Sequence, residues 1–377
     1  MRNIIKSILL ALLVLLSPNF IHASKLAKMA KKSGEIRIKD VSPHKGLTLR
    51  YNYGEMELVF WDKNEIVLKY DECVRASSQK RADEILQQRI AIKSIEGHYF
   101  RVGNADDSSV SFNSKWTVYV PSHISSVAAS NSFGNITVGK GFSGLIRIDV
   151  QNGDVNIPET KAMCVVEVTH GNFYVGNAAY LNMTTKHANG TISFAQTLKV
   201  QAEHADLYKI DKADVMTINS KHSKIKVGNV GQLSSQGSYS TLEVNELSGL
   251  ANIRDMQHST IEMDKFLGKL DATDLSYSKL NITISKFNHT PFIMVTDLDY
   301  TDVMLKLPAS LRTSTYVNGK GSCRSISSGT AKIKSSAPWS SPNGVSTHVF
   351  QNTESFTPNS LIDINNESYG TILIEEY

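Results

Sequence analysis

Four histidines recur at nearly even spacing in the middle of the chain. They are His170, His187, His204 and His222, and successive pairs lie 17, 17 and 18 residues apart. Imidazole is the commonest metal ligand in proteins, so a regular set of this kind invites comparison with a metal site. Whether the comparison holds depends on which residues occupy the same position in the rest of the sequence.

Three aspartates form a second regular set. Asp255, Asp274 and Asp297 each precede a His or Tyr by three residues, and Asp299 and Asp302 add charge beside the last. Stacked carboxylates repel each other unless a cation or a shared proton relieves them, and Ca²⁺ is the natural candidate because it accepts irregular oxygen cages. A solvated acidic face is the simpler interpretation. Stacked carboxylates also serve polysaccharide-cleaving β-helices, although no column of Arg or Lys accompanies them here.

Both sets belong to one internal repeat. A flat side chain, here called the anchor, is followed by a small residue and then by apolar residues at alternate positions. Anchors recur every 17–23 residues. This period is too short for a propeller blade and suits one coil of a β-solenoid, with parallel strands about 4.8 Å apart. The ten successive anchors are Phe133, Asn152, His170, His187, His204, His222, Tyr239, His258, Tyr277 and Tyr300.

The repeat changes the interpretation of the histidines. Because Tyr, Phe and Asn fill the same position as His, the shared property is a flat shape and not metal ligation. Apolar alternation changes parity at the anchor, which predicts a bend there and explains the small residue that follows. Flat groups repeated at strand spacing stack on one another, so the sequence predicts a structural ladder and no metal site. The predicted ladder is His170, His187, His204, His222, Tyr239, His258, Tyr277 and Tyr300.

The chain divides into five predicted segments. Residues 1–23 have a charged start, an apolar stretch and a small residue at Ala23, which is the layout of a secretory signal peptide. This predicts export to the periplasm, the cell surface or the medium, with no membrane span after signal cleavage. The other predicted segments are a basic mobile stretch at 24–34, a β-rich capping unit at 35–125 with a helix at about 78–90, solenoid repeats at 126–307, and a loop-rich segment at 308–377 that ends in a closing coil.

Composition narrows the function classes. A chain of 377 residues that is 41% hydrophobic and 20% charged is neither disordered nor a multi-span membrane protein. Its net charge of +4 gives no case for nucleic acid as a partner. Three widely spaced cysteines allow at most one disulfide and no thiolate zinc site. The sequence predicts no catalytic residue and no cofactor beyond the Ca²⁺ considered above.

Three phrases resemble a known family. They are "NYGEMELVFWDKNEIVLKY" at 52–70, "KRADEIL" at 80–86 and "NNESYGTILIEE" at 365–376, and the anchor repeat joins them. Together they resemble exported adhesin-like domain-of-unknown-function proteins, which are abundant in Bacteroidetes and related to the "head GIN" adhesins. The resemblance covers most of the mature chain. It implies a parallel β-solenoid of the cell envelope, with no established activity and no catalytic residues to carry over.

These observations predict an all-β protein built as a single parallel β-solenoid of about ten coils. The protein is predicted to be exported and non-enzymatic. Its predicted function is surface presentation or binding, with a protein or glycan of the cell envelope as partner. The oligomeric state stays open. One alternative is a polysaccharide-cleaving β-helix that uses the column of Asp255, Asp274 and Asp297. The other is an envelope-stress or assembly protein that contacts another protein through residues 308–360.

Overall fold

Parallel strands stacked into coils make up most of the molecule, with one short helix among the N-terminal strands. Strands account for 77% of the computed structural model, and its parallel β-solenoid has about nine turns. The predicted fold class is therefore confirmed. The predicted signal peptide lies outside the described part of the chain. The structure describes residues 28–43, 46–89, 92–94, 99–101, 111–206, 208–285, 292–308, 314–320, 323–328, 334–335, 339–340, 345–351, 361–366 and 370–376.

Each coil contributes a first strand before the anchor and a second strand after it. The first strands alternate, so that Ile146 and Ile148 are buried while the residues between them face outward, and Val155 and Ile157 continue the burial after the anchor. Each buried aliphatic side chain contributes roughly 1.5–3 kcal/mol to the free energy of unfolding. The solenoid strands are β9 Ser126–Asn131, β10 Ile136–Val138, β11 Leu145–Val150, β12 Val155–Glu203, β13 Tyr208–Lys221, β14 Lys224–Ser238, β15 Thr241–Leu247, β16 Leu250–Gln257, β17 Thr260–Phe266, β18 Lys269–Ser276, β19 Lys279–Ile284, β20 Phe292–Asp299 and β21 Asp302–Leu307.

The N-terminal part supplies one coil of the solenoid as well as a cap. Strands β2 and β3 pair in parallel with β9 and β10, although about 80 residues separate them along the chain. The division into a cap at 35–125 and repeats from 126 therefore differs from the structure, because the coil at 46–61 stacks directly on 126–138. The N-terminal elements are β1 Lys28–Lys39, β2 Gly46–Tyr51, β3 Glu55–Trp61, β4 Glu65–Ala76, α1 Gln79–Arg89, β5 Ile92–Ser94, β6 Tyr99–Arg101, β7 Ser111–Phe112 and β8 Lys115–Pro121.

The basic segment is ordered where the structure describes it. The sequence predicts mobility at 24–34, whereas β1 begins at Lys28 and pairs antiparallel with β4 along its whole length. Ala30 is buried against Ala82 and Ile85 of α1, which explains why a lysine-rich strand is held in place. Lysines on the exposed positions of this edge strand also discourage pairing with other chains.

The C-terminal strands do not stack in the order in which they occur along the chain. Strand β27 lies between β20 and β22, and β28 lies between β21 and β23, so the last coil in sequence is not the last coil in space. The sequence predicts long loops at 308–360, whereas five strands occur there and β26 pairs antiparallel with β22. These serine-rich strands lack clear apolar alternation, so the sequence did not predict them. The elements are β22 Ser314–Lys320, β23 Cys323–Ser328, β24 Lys334–Ser335, β25 Trp339–Ser340, β26 Val345–Gln351, β27 Leu361–Asn366 and β28 Gly370–Glu376.

Among the described residues there is one helix, and it is short. It spans Gln79–Arg89, close to the predicted 78–90, and Ser78 Oγ accepts the N–H of Arg81 at its start. Among the described residues, no helix has the length and apolar character needed to cross a membrane.

Candidate functional site

The anchors adopt a left-handed backbone conformation, and this conformation makes the bend. From His170 to Tyr300 their φ angles lie between 47° and 56°. The left-handed region disfavours an L-residue by roughly 1–2 kcal/mol, so each corner needs compensation from its surroundings. The turn directs each anchor ring outward, and all eight rings of the predicted ladder are exposed.

The eight rings form one continuous stack along the solenoid. Neighbouring ring centroids are 4.7–4.9 Å apart, with interplanar angles of 3–16°. Tyr53 and Phe133 form a shorter stack at 4.7 Å, and Asn152 occupies the coil between the two stacks. Aromatic contacts contribute about 0.5–1.5 kcal/mol per pair, which is of the size needed to offset the left-handed backbone.

Stacking determines what the histidines can bind. Each imidazole face lies against the next ring, so the edges and not the faces reach solvent. Ring centroids from His170 to His222 are 4.8–4.9 Å apart, whereas two nitrogens that share a Zn²⁺ ion each lie about 2.0–2.1 Å from it. Parallel rings at this spacing do not chelate one ion. In the part of the chain that the structure describes, no three His, Cys, Asp or Glu side chains are grouped to hold a metal.

The small residue after each anchor lies at a tight corner. In the first coils this residue is glycine, and a Cβ on Gly134, Gly153 or Gly171 would overlap the glycine carbonyl oxygen of the preceding coil. Ala188 and Ala205 follow in the next coils, and both are buried. Space at the corner therefore limits the residue type.

From Ser223 onward a buried hydroxyl fills the corner and forms hydrogen bonds in two directions. Each serine Oγ accepts the backbone N–H of the preceding coil's corner residue at 3.1–3.3 Å. It donates to the carbonyl oxygen two residues earlier at 2.8–2.9 Å. Sequence reasoning explained only the small size of these residues, although the change from Gly and Ala to an unbroken run of Ser was the available signal. The serines are Ser223, Ser240, Ser259 and Ser278.

The three stacked aspartates have a structural reason of their own. Asp255, Asp274 and Asp297 have φ angles of 50°, 57° and 54°. The register between first strands shifts between Ser235 and Gly237, where one extra residue enters the facing strand, and the following coil keeps that residue. Aspartate and asparagine tolerate the left-handed region better than other non-glycine residues, so the bulge itself favours them.

The structure places the five predicted binding carboxylates at three kinds of position. Asp255, Asp274 and Asp297 are exposed at equivalent positions of successive coils. Asp299 is two residues further along the last of these strands. Asp302 lies beyond the corner, where its Oδ1 accepts a backbone N–H of the C-terminal coil at 3.0 Å.

We expect asparagine at position 255 to leave the free energy of unfolding nearly unchanged. Alanine there should lower it by about 1 kcal/mol, because alanine tolerates the left-handed region less well. Urea unfolding of Asp255→Asn and Asp255→Ala measures the difference. A Ca²⁺-dependent rise in melting temperature would show a calcium site instead, provided that joint replacement of Asp255, Asp274 and Asp297 by asparagine abolishes it.

A cleft of about 490 Å³, here called the first cleft, lies on the outward face of the first strands near the N-terminal end of the solenoid. Ala128 and Ser130 form its floor, and their side chains are short. Arg50 pairs with Ser130 from the preceding coil, while Arg147 and Asp149 project from the next coil. The cleft exists because one coil with short outward side chains lies between two coils with long ones.

The charges of the first cleft are mixed. Burial raises the pKa of the Asp149 carboxyl, and the Arg147 guanidinium beside it lowers that pKa in part. Asn52 and Gln151 add amide groups to the lining. The cleft thus presents guanidinium donors, a carboxylate acceptor and amides to one small volume, which suits a ligand rich in hydroxyl or carboxylate groups.

A second cleft of about 400 Å³ continues along the same face. Its lining includes Glu167, Thr184, Gln201 and Asn219, each three residues before its anchor. Asp149 pairs with Glu167, so the two clefts share one column of outward residues. The sequence predicted binding at the far end of this column, yet none of the five predicted carboxylates lines either cleft. Charge alone marked those positions, whereas a cleft depends on side-chain lengths in neighbouring coils.

Among solved structures the chain has distant neighbours. No family model and no curated protein matches the chain. A "putative cell adhesion protein" from Clostridium sporogenes ATCC 15579 is 10% identical, with 92% of this chain and 100% of that chain covered and a TM-score of 0.19. A "putative lipid binding protein" from Parabacteroides distasonis ATCC 8503 is 11% identical, with 92% and 96% covered and a TM-score of 0.27. Values this low leave the function to be inferred from the chain's own residues.

Proposed function

We propose that this chain is an exported, non-enzymatic, adhesin-like protein of the cell envelope that binds a glycan in the first cleft. The observation that carries the proposal is the cleft itself. Its volume of about 490 Å³ falls in the range of roughly 300–1,000 Å³ that is typical of small-molecule sites. A volume of this size accommodates one or two sugar rings.

The chemistry of the lining favours a glycan over a protein partner. Interfaces between proteins are centred on apolar and aromatic side chains, whereas Arg50, Ser130, Arg147 and Asp149 offer charged and hydroxyl groups. Guanidinium and carboxylate groups together hydrogen-bond adjacent hydroxyls of one sugar, and the two arginines also suit a sugar carboxylate. The second cleft extends the same polar surface, as a polymer that spans several coils would require.

Two features of the sequence support the envelope location. The predicted signal peptide at 1–23 indicates export, and the resemblance to the adhesin-like Bacteroidetes family points to the cell surface or periplasm. The stacked rings contribute to this function as scaffold, because their faces are occupied by one another and are unavailable for stacking on sugars. We therefore expect the ligand to bind in the two clefts and not on the exposed aromatic rings.

The test is a binding screen against bacterial envelope polysaccharides, with dissociation constants measured for the ligands found. Arg147→Gln should weaken binding about 10- to 100-fold, because a charge-assisted hydrogen bond contributes roughly 1.5–3 kcal/mol. Ser130→Trp, which fills the floor of the first cleft, should abolish binding. Arg254→Gln removes the same charge from a first strand far from both clefts and serves as the matched control.

Three outcomes would contradict the proposal. Equal binding by wild type and Ser130→Trp would place the ligand elsewhere. A loss of binding in Arg254→Gln that equals the loss in Arg147→Gln would indicate attraction by net charge alone. Release of reducing sugars from a bound polysaccharide would show that the protein is an enzyme.

A further inference from the structure

Six of the large apolar side chains exposed on the surface fall on a single line. They are exposed by 36–46%, they all lie on the outward face of the first strands, and each lies seven or eight residues before its anchor. We call the full line, including the polar residues that interrupt it, the apolar stripe. In coil order the apolar stripe reads Leu145, Met163, Tyr180, Thr197, Val215, Gln232, Leu250, Lys269 and Phe292.

Strand pairing keeps these residues in register. Thr197 pairs with Val215 and Val215 with Gln232, and in the later coils Lys269 pairs with both Leu250 and Phe292. The change from seven to eight residues before the anchor coincides with the bulge at the aspartates. Nine positions about 4.8 Å apart give the apolar stripe a length of roughly 38 Å.

The residues beside the apolar stripe leave it accessible. The position before each stripe residue is occupied by a small side chain in most coils, including Gly231, Gly249 and Gly268. A Cβ on Gly249 or Gly268 would overlap the carbonyl oxygen of the preceding coil's glycine, so this corner is close-packed backbone. The larger side chains Gln196 and Asp214 also occupy this flanking position. A line of this length in which six of nine residues are exposed and apolar marks an interaction surface.

We infer that the apolar stripe is a homodimer interface, in which a second copy of the chain lies antiparallel across it. This inference goes beyond glycan binding and does not depend on it. An antiparallel pair has a two-fold axis at the central residue, so that each position faces the position equally distant from the centre in the other copy.

The order of apolar and polar residues along the apolar stripe is symmetric about Val215 except at Met163 and Lys269. Leu145 then faces Phe292 of the second copy, Tyr180 faces Leu250, and Val215 faces itself, so five of the six apolar residues meet an apolar residue. The polar Thr197 faces the polar Gln232. An equal spacing between coils in both copies allows all nine positions to meet at once.

Charge selects the antiparallel arrangement over the parallel one. In a parallel pair every stripe residue faces its own copy, which places Lys269 against Lys269. In the antiparallel pair Lys269 faces Met163, whose flexible apolar side chain packs against the lysine methylenes. Like charges in direct opposition are unfavourable, so the parallel pair is the weaker of the two.

The available area suits a modest dimer. A surface of roughly 38 Å by 15 Å, which is the apolar stripe with its flanking positions, gives about 600 Å² on each copy. Specific interfaces bury at least about 1,200 Å² in total, so the area lies at the lower end of that range. We therefore expect a dissociation constant in the micromolar range and not an obligate dimer.

Sedimentation of the protein purified after expression from the full-length sequence tests the inference. Wild type should be dimeric at concentrations of about 100 μM, well above a micromolar dissociation constant. Val215→Glu places two carboxylates against each other on the axis and should raise the dissociation constant at least 100-fold, with an unchanged circular dichroism spectrum. Tyr174→Glu makes the same change at an exposed aromatic residue outside the apolar stripe and should leave the dimer intact.

Cross-linking tests the direction of the two copies. In a Cys323→Ser background, Leu145→Cys combined with Phe292→Cys should form disulfide-linked dimers, while either single variant should not. A cross-link in the Leu145→Cys single variant alone would show a parallel pair and overturn the inference. Monomeric wild type would also overturn it, as would a dimer that survives Val215→Glu. Vesicle binding by monomeric wild type that Val215→Glu abolishes would assign the stripe to a lipid surface instead.

Discussion

Replacing Gly171 with valine is expected to lower the free energy of unfolding by about 3 kcal/mol, at the upper end of typical overpacking effects. The reason lies at the corner, where a Cβ on Gly171 would overlap the carbonyl oxygen of Gly153. Backbone carbonyls of stacked coils cannot move independently, because each one is held by strand pairing on both sides. Chemical denaturation measures the change directly.

Two further variants show whether the Cβ atom is responsible. Gly171→Ala should lose nearly as much stability as Gly171→Val, although alanine occupies the equivalent corner at Ala188. Thr169→Val adds an apolar group to an outward, half-buried position of the same coil and should change stability by less than about 0.5 kcal/mol. If Gly171→Ala were as stable as wild type, the corner would have more room than the structure shows.

Replacing all four corner serines with alanine is expected to lower the free energy of unfolding by about 4 kcal/mol, or roughly 1 kcal/mol for each hydroxyl. Every substitution removes an acceptor from a buried backbone N–H and a donor from a carbonyl oxygen. The four serines are Ser223, Ser240, Ser259 and Ser278.

The opposite substitution provides the control. Ala205 precedes the first serine of the series, and Ala205→Ser would add one more hydroxyl to it. By the geometry of the following coils, its Oγ would accept from the backbone of Ala188, and we expect a gain of up to about 1 kcal/mol. Destabilisation by Ala205→Ser, together with full stability of the four-alanine variant, would mean that size alone selects these residues.

The sequence was sufficient to predict a β-solenoid because the repeat is local. Anchors and apolar alternation recur within 17–23 residues, so a single period predicts the strands, the bend and the stacking distance. The direction of the rings did not follow from the sequence. It depends on the left-handed φ of residues such as His204 and Tyr239, and the flat shape of a side chain is compatible with either direction.

The first cleft could not be predicted from the sequence. Its floor residue Ser130 and its wall residue Arg50 are 80 positions apart, and only the pairing of β2 with β9 brings them together. The same is true of the aspartates, where charge suggested ion binding while the backbone supplies a second cause, the bulge. Features that depend on neighbouring coils become visible in the sequence only when the register is known, and the register at both ends involves distant segments.

The insertion of the last strands between earlier ones at the C-terminal end limits the order in which the coils can fold. Interior coils pair with strands only 17–23 residues away and can form as soon as they are synthesised, because closing a short loop loses little entropy. The coil at 314–328 can pair with β26, but it joins the rest of the solenoid only when residues 361–376 insert between it and β20 and β21. Until that insertion, the growing solenoid presents an open strand edge that another chain could pair with. We therefore expect folding to end with a slow, long-range step, and we expect aggregation to compete with folding most strongly before that step.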